Sequence, residues 1–447
     1  MSRNGIRVFW GVWAGLALLW LATNLGGLDL RFFALRASVL QLTGVLGMGA
    51  MSLAMILALR PRWPEGPLGG LDKMYRLHRR LGIGGLAVSV FHWSWAQGPK
   101  WAVGWGWLER PHRGPRPPVG DPLHAALAGL RHEAEAAGEW AFYALAALVL
   151  VALVRRIPYR WFRLSHRLTA AAYLALVFHS VALFDFGQWA TPQGAVLALL
   201  MLGGSGAALV SLTGRIGAGR QVAGTLVGMR FHPGVHALEK RVRLGEGWPG
   251  HRAGQFAFVA SEPRDGAHPY TIASAWDPAT REIVFLAKEL GRHTTGLEAR
   301  LRIGQPVTVE GPYGRFIFDE DPAARQIWVG GGIGIAPFVA RMKELAARAP
   351  GQARPVDLFH CTREVDEGAL ALLAADAAAA GVRLHVLVEG RDGLLTGERL
   401  RAAVPDWREA GLWFCGPTRF GAALRADLAA RGFPVETRFH QELFELR

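Results

Sequence analysis

In the first half of the chain apolar residues run in blocks instead of alternating. Six blocks, at 8–24, 35–59, 78–96, 138–154, 164–184 and 193–212, each approach the roughly 20 residues a helix needs to cross a bilayer. The first block follows Arg3 and Arg7, has no small-residue cleavage site with a polar region after it, and is soon followed by another block. It reads as a helix and not as a removed leader. Segment 97–137, bearing Pro and Arg, reads as a long outer loop. From Gly219 the texture changes to short β-branched runs broken by Gly and Pro, such as Val222–Arg230, Val235–Arg243 and Gln255–Ala260. They predict an antiparallel barrel to about residue 318. After Ala324, buried strands at Gln326–Val329, Val356–His360, Arg383–Val388 and Leu412–Cys415 alternate with Ala-rich helical stretches, the pattern of a doubly wound parallel sheet. The predicted organisation is multi-domain: a six-helix transmembrane bundle over 1–215, an antiparallel β-barrel over 216–320 and an α/β doubly wound domain over 321–447.

Charge sharpens this division. Residues 1–220 hold 22 Lys and Arg against 9 Asp and Glu, whereas residues 221–447 hold 28 against 27, so nearly all of the net +14 belongs to the apolar half. The cations sit between long apolar runs instead of on a polar surface, which favours membrane orientation over nucleic-acid binding. With the N-terminus inside, the inner segments hold 15 cations and the outer segments 7, which predicts both termini and the whole second half in the cytoplasm of a plasma or inner membrane. Only Cys361 and Cys415 are present, both in strand-like segments of the near-neutral half, so a reducing compartment fits and no disulfide framework is implied.

Within the apolar blocks the chemistry is carried by histidine. His78 and His92 lie in the third block and His166 and His179 in the fifth, 14 and 13 residues apart. At about 1.5 Å per residue each pair spans about 20 Å of helix. Both helices run inside to outside, so His78 should face His166 and His92 should face His179, which makes two stacked bis-imidazole haem sites. A 14-residue step returns to within about 40° of one helix face, but a 13-residue step misses by about 140°, so the fifth helix must bend or present its imidazoles from different sides. Polar residues at helix ends are the alternative for His78 and His166, which are flanked by Arg. His92 and His179 are the only ionisable groups deep in their runs, and such groups are functional by default.

The second half holds glycine, hydroxyl and aromatic motifs in a telling order. His268-Pro269-Tyr270-Thr271-Ile272-Ala273-Ser274 closes a barrel strand with a ring able to stack on isoalloxazine and a hydroxyl able to meet its N5 edge; a plain strand with a buried Tyr is the alternative. In the turn that follows, Gly291 and Thr294 open a predicted helix whose amides suit a pyrophosphate. Gly330, Gly331, Gly332, Gly334 and Pro337 fall between the first strand of the sheet and its first helix, the switch-point position for a dinucleotide phosphate. The second strand ends in Thr362-Arg363 and lacks the acid that would hold a ribose 2′-OH, so a 2′-phosphate and hence NADPH is favoured, a solvated surface Arg being the alternative. Cys415-Gly416-Pro417 ends a later strand, where a small thiol lets nicotinamide approach the flavin, unless it is a buried Cys beside a turn.

Taken together, His268-Pro-Tyr-Thr, Gly311-Pro-Tyr-Gly, the Gly330 loop and Cys415-Gly-Pro resemble the ferredoxin-NADP reductase module. With the histidine helices in front, the whole chain resembles the NADPH oxidase and ferric reductase superfamily. Gly70-Leu-Asp-Lys-Met-Tyr-Arg-Leu-His78-Arg-Arg-Leu-Gly, the His166/His179 pair and the ending Phe444-Glu-Leu-Arg are similar to its single-chain bacterial members. The resemblance implies two b-type haems on the four histidines, FAD on 268–274 and 291–294, NADPH on 330–337, Arg363 and 415–417, and Phe444 shielding the flavin. It implies a flavohaem oxidoreductase that carries electrons from cytoplasmic NADPH to an outer acceptor, with no residue needed as catalytic acid or base. Molecular oxygen giving superoxide is the expected acceptor. A ferric chelate is the alternative, as is a periplasmic partner protein.

Overall fold

In the computed structural model the described residues are all but 1–2, 110–119, 155, 263–265, 292, 349–353 and 443–447. They form two compact units, residues 1–68 with 73–216 and residues 69–72 with 217–447.

The first unit is helical, with α1 (Arg3–Asn24), α2 (Phe32–Ala58), α3 (Leu71–Gly104), α4 (Arg131–Leu153), α5 (Tyr159–Leu183) and α6 (Pro192–Leu212) as its long helices. Five spans are long and apolar enough to cross a membrane: Asn4–Gly27, Phe32–Ala58, Arg131–Leu153, Trp161–Leu183 and Pro192–Leu212. The expected sixth, α3, is the longest at 34 residues, but Lys73, Arg76, Arg79, Arg80, two histidines and Gln97 dilute its apolar run. Trp10, Leu18, Trp140, Leu199 and Leu202 lie 64 to 74% exposed on these helices. Such a surface costs about 25 cal/mol per Å² in water and nothing in lipid, and the unit is a multi-pass membrane domain. Its interior is closed by small residues: a Cβ on Gly204 would lie 2.1 Å from the hydroxyl of Tyr173, which pairs with Ser52 Oγ at 2.7 Å.

Segment 97–137 differs from the expected loop. The α3 helix runs on through Pro99 to Gly104, Pro122–Gly129 is a short helix, and α4 begins at Arg131. Gly98-Pro99 looks like a breaker, but a proline inside a helix forfeits only one bond to the preceding turn and kinks rather than ends it when the flanks hold. The short helix starts because Asp121 accepts the amide of His124 at 2.8 Å with Pro122 in the first turn. Arg110, His112, Arg113 and Arg116 lie outside the described residues.

The second unit begins with β1 (Gln221–His232), β2 (Ala237–Leu244), β3 (Phe256–Ala260), β4 (His268–Thr271), β5 (Glu282–Lys288) and β6 (Pro306–Tyr313), in the order β4-β3-β6-β1-β2-β5 with every pair antiparallel. The outer strands meet through an Ile272↔Phe285 bridge, so the sheet closes into a barrel. Alternation does this: Ile283, Phe285 and Ala287 of β5 and Leu238 and Val242 of β2 point inward at 2% exposure or less, with Leu297 plugging one end.

A five-stranded parallel sheet follows: β7 (Gln326–Gly331), β8 (Val356–Thr362), β9 (Arg383–Val388), β10 (Gly411–Cys415) and β11 (Phe439–Glu442), in the order β11-β10-β7-β8-β9. Helices α7 (Ala336–Ala346), α8 (Glu367–Ala379), α9 (Gly397–Ala403) and α10 (Thr418–Ala430) make its crossovers and cover. The order reverses between β7 and β10, the switch point where ligands of such sheets bind. Barrel and sheet are tied by Lys288–Glu364 at 2.5 Å and by Asp366, which accepts the Gly234 amide at 3.0 Å.

Candidate functional site

Helices α3 and α5 bring the four histidines together in twos. The ring centroids of His78 and His166 are 5.9 Å apart at 83° between planes, and those of His92 and His179 are 6.4 Å apart at 79°. An imidazole–metal bond is about 2 Å and a ring nitrogen lies about 1.2 Å from its centroid, so two coaxial imidazoles on one metal have centroids about 6.3 Å apart. Both pairs sit at that spacing. Among the described residues no three His, Cys, Asp or Glu side chains gather into a cage. Paired imidazoles alone suit an iron whose other four ligands come from a porphyrin.

The hydrogen bonds behind these rings settle which nitrogen faces the gap. His78 Nδ1 donates to Ala54 O of α2 at 2.8 Å, His179 Nδ1 donates to Ala134 O of α4 at 2.8 Å, and His92 Nδ1 lies 2.8 Å from Thr43 Oγ1. A carbonyl only accepts, so His78 and His179 carry their proton on Nδ1 and leave Nε2 free to bind metal. The two imidazoles of α5 have different surroundings. His179 leans on α4, and His166 stacks on Phe162 of its own helix at 5.2 Å. Gly138 makes the first possible, since a Cβ there would lie 2.0 Å from His179 Nδ1. Thr43, Ala134 and Gly138 were invisible in the sequence, where a small residue in an apolar run carries no signal.

In the barrel Tyr270 is 7% exposed within the core; its hydroxyl bonds His293 Nε2 at 2.9 Å, and His293 stacks on His268 at 3.5 Å. Over the Tyr270 ring, at 3.8 Å, stands the ammonium of Lys240, 1% exposed and without a hydrogen-bond partner among the described residues. Burial pulls that amine from its ordinary 10.5 down to about 7, with Glu262 opposing. In the sequence Lys240 is marked only as a lone Lys between Leu238 and Val242 on an inward face. Thr271, beyond the half-buried Pro269, is 6% exposed with an Oγ1 that has no partner among the described residues. An orphaned buried hydroxyl is what a flavin edge would satisfy. Ser274 is occupied otherwise: its Oγ accepts the Val284 amide at 3.1 Å and helps close the barrel.

The turn after β5 departs from expectation. The helix it opens is only Leu297–Arg300, and Thr294 Oγ1 accepts the amides of Leu290 at 3.0 Å and Gly291 at 3.4 Å, so these amides are already partly satisfied.

At the switch point the glycines divide their work. A Cβ on Gly334 would strike Cys415 O at 2.2 Å, one on Gly331 would strike Pro417 at 2.8 Å and one on Gly416 would meet Gly331 at 3.0 Å, so these three glycines let the loops after β7 and β10 touch, while Gly330 packs on Ile335 and Phe338. Gly332 is different, with φ +55° and open space around its missing side chain, and it offers a backbone a phosphate can approach. Pro337 sits in the first turn of α7. Cys415 is fully buried at the end of β10, and burial raises its thiol well above the ordinary value and that of Cys361 to about 12, so neither serves as a thiolate. Thr362 Oγ1 donates to Glu364 O at 2.8 Å, and the exposed Arg363 pairs with Glu389, an acid just beyond β9. Phe444 lies outside the described residues.

Residues 43–177 match the family model described as ferric reductase like transmembrane component, a span containing His78, His92 and His166 and ending two residues before His179. The second half is similar to the ferredoxin–NAD(+) reductase component of an alkene monooxygenase system from Xanthobacter autotrophicus, 31% identical over 202 residues, 43% of this chain and 60% of that protein. It is also similar to an NADPH oxidoreductase from Mycobacterium tuberculosis, 28% identical over 238 residues, 50% of this chain and 60% of that protein. A flavohemoprotein from Oceanobacillus iheyensis is 23% identical over 158 residues, 33% of this chain and 38% of that protein. The chain spans at most 60% of the length of these relatives.

Proposed function

We propose that this chain, a ferric-reductase-like transmembrane component fused to a ferredoxin-reductase-like half, is a flavohaem oxidoreductase that moves electrons from cytoplasmic NADPH to an acceptor on the outer face of the cell membrane. The observation that carries the reading is the two imidazole pairs, at 5.9 and 6.4 Å, on helices of a membrane domain. In it α3 is the sixth crossing, its polarity explained by the histidines it brings to the centre, and both termini are cytoplasmic. The His78/His166 pair is then the inner haem site and the His92/His179 pair the outer one. FAD supplies the change from hydride to single electrons, and haem supplies one-electron carriage through an apolar interior.

The chain's own residues do the positioning. The carbonyls of Ala54 and Ala134 orient their imidazoles. Thr271 offers its hydroxyl to the flavin edge, beside His268, Pro269, Tyr270 and Ser274, which shape that strand, with Gly291 and Thr294 near the pyrophosphate. Gly330, Gly331, Gly332, Gly334 and Pro337 receive the nucleotide phosphates, Thr362 and Arg363 flank the 2′-phosphate, Cys415, Gly416 and Pro417 bound the nicotinamide, and Phe444 shields the flavin. Oxygen, giving superoxide, is the acceptor in this reading: His78, His92, His166 and His179 would hold the haems in pairs, which would leave oxygen no place on iron and would suit a small acceptor that needs none. The family description of residues 43–177 favours a second reading, reduction of a ferric chelate.

Anaerobic titration of the purified protein with NADPH, followed spectroscopically and then by separate addition of oxygen and ferric chelate, tests this. Reducible flavin with two b-type components is expected. A sample with flavin but no reducible haem would make the membrane unit a mere anchor.

A further inference from the structure

Buried in the membrane unit, Thr43 of α2 is 7% exposed and has three neighbours within reach of its hydroxyl: Val39 O at 2.7 Å, Leu40 O at 3.2 Å and His92 Nδ1 at 2.8 Å. A hydroxyl has one proton, and the Val39 carbonyl at 2.7 Å is placed to take it, the back-bond a threonine commonly makes within a helix. The oxygen that faces His92 then offers a lone pair. In the di-haem reading His92 holds metal through Nε2, so Nδ1 carries the proton and donates to this oxygen, with the Leu40 carbonyl also bonded to the ring.

The same service is done for His78 by Ala54 O and for His179 by Ala134 O, both backbone groups, while His166 Nδ1 has no partner among the described residues. Among these contacts Thr43 is the side chain that holds a histidine of the paired set, beside the Leu40 carbonyl on the same ring. An N–H···O bond behind a metal-bound imidazole fixes its orientation and raises its basicity, which favours ferric over ferrous iron.

We propose that Thr43 is a positioning residue for the outer haem, its hydroxyl fixing the tautomer of His92 and lowering the potential at that site. This rests on the di-haem reading above. Thr43→Val keeps the shape and removes the acceptor; Thr43→Ser keeps the acceptor and trims the methyl. The readout is a spectroscopic redox titration of the full-length haem-loaded protein, with the outer component identified as the one missing from His92→Leu. Thr43→Val is expected to shift the outer midpoint potential upward and leave the inner one in place, and Thr43→Ser to match the unsubstituted protein. Loss of the outer haem in Thr43→Val with retention in Thr43→Ser also supports the role, since the hydroxyl is then needed to seat the imidazole. An unmoved outer potential in Thr43→Val, equal shifts at both haems, or equal shifts in both variants overturn it. A starting protein without two reducible components overturns the di-haem reading, and this inference with it.

Discussion

Arg363 and Glu389 form an exposed pair at the rim of the parallel sheet, the guanidinium side chain 81% exposed, and exposed pairs of this kind contribute little to stability. A 2′-phosphate can displace the carboxylate at little cost and gain a charge-assisted contact in its place. Arg363→Ala is expected to weaken NADPH by roughly tenfold, with NADH little changed. Glu389→Gln should strengthen NADPH alone, and KM measured for both nucleotides in both variants decides it; equal losses for the two nucleotides would remove the assignment. Lys240 makes a prediction about stability. Its folded pKa of about 7 lies below the unfolded 10.5, so between those values the unfolded chain binds the extra proton and stability rises with pH; below 7 both forms are charged and the burial penalty is full. Lys240→Met should therefore melt higher at pH 7, on the order of 5 °C, and lose that rise toward pH 10. Thermal melts at the two pH values read it. Glu389 acquires its meaning only from Arg363 across the sheet, whereas Lys240 is marked in the sequence by its place between Leu238 and Val242 on an inward face.

Among the elements, α4 and α5 pack closely enough for the Ala134 carbonyl to reach His179, and Gly138 is what permits it. In an ordinary helix interior Gly→Ala stabilises by about 1 kcal/mol. Gly138→Ala should do the opposite, because the new methyl meets the imidazole at 2.0 Å. The expected result is loss of the outer haem absorbance with NADPH-driven flavin reduction intact; full occupancy of both haems would show that the ring does not sit there. Helix α3 teaches a different lesson. It is the longest helix but is not among the five spans long and apolar enough to cross a membrane, because its cations and histidines make it polar.

For the whole molecule the division of labour predicts separable activities. His92→Leu or His179→Leu should remove the outer haem and abolish reduction of an outer acceptor, while NADPH still reduces soluble dyes through the flavin half. Retention of two haems in either variant would refute the ligand assignment. The unsubstituted protein, loaded with haem and supplied with NADPH in air, should release superoxide from the outer face, measured as superoxide dismutase-sensitive dye reduction. Absence of superoxide, with ferric-chelate turnover present, would move the function to the second reading.

Much of this protein is written locally. Apolar blocks, period-two strands and glycine turns depend on residues a few positions apart, so helices, barrel strands and parallel strands can be read along the chain, and His92 and His179, alone deep in apolar runs, announce themselves. Helix 97–104 escaped because Gly98-Pro99 imitates an end, and the helix after Gly291 shrank to Leu297–Arg300 because Thr294 satisfied the turn first. What only the tertiary structure decided are relations between distant segments: Thr43 behind His92, Ala134 and Gly138 behind His179, Glu389 on Arg363, Lys240 over Tyr270, and Gly331 against Pro417. Each depends on a few ångströms across tens or hundreds of residues, and no periodicity along a chain encodes such a distance. The residue types for the chemistry are therefore legible in sequence, whereas their protonation, partners and clearances come from packing.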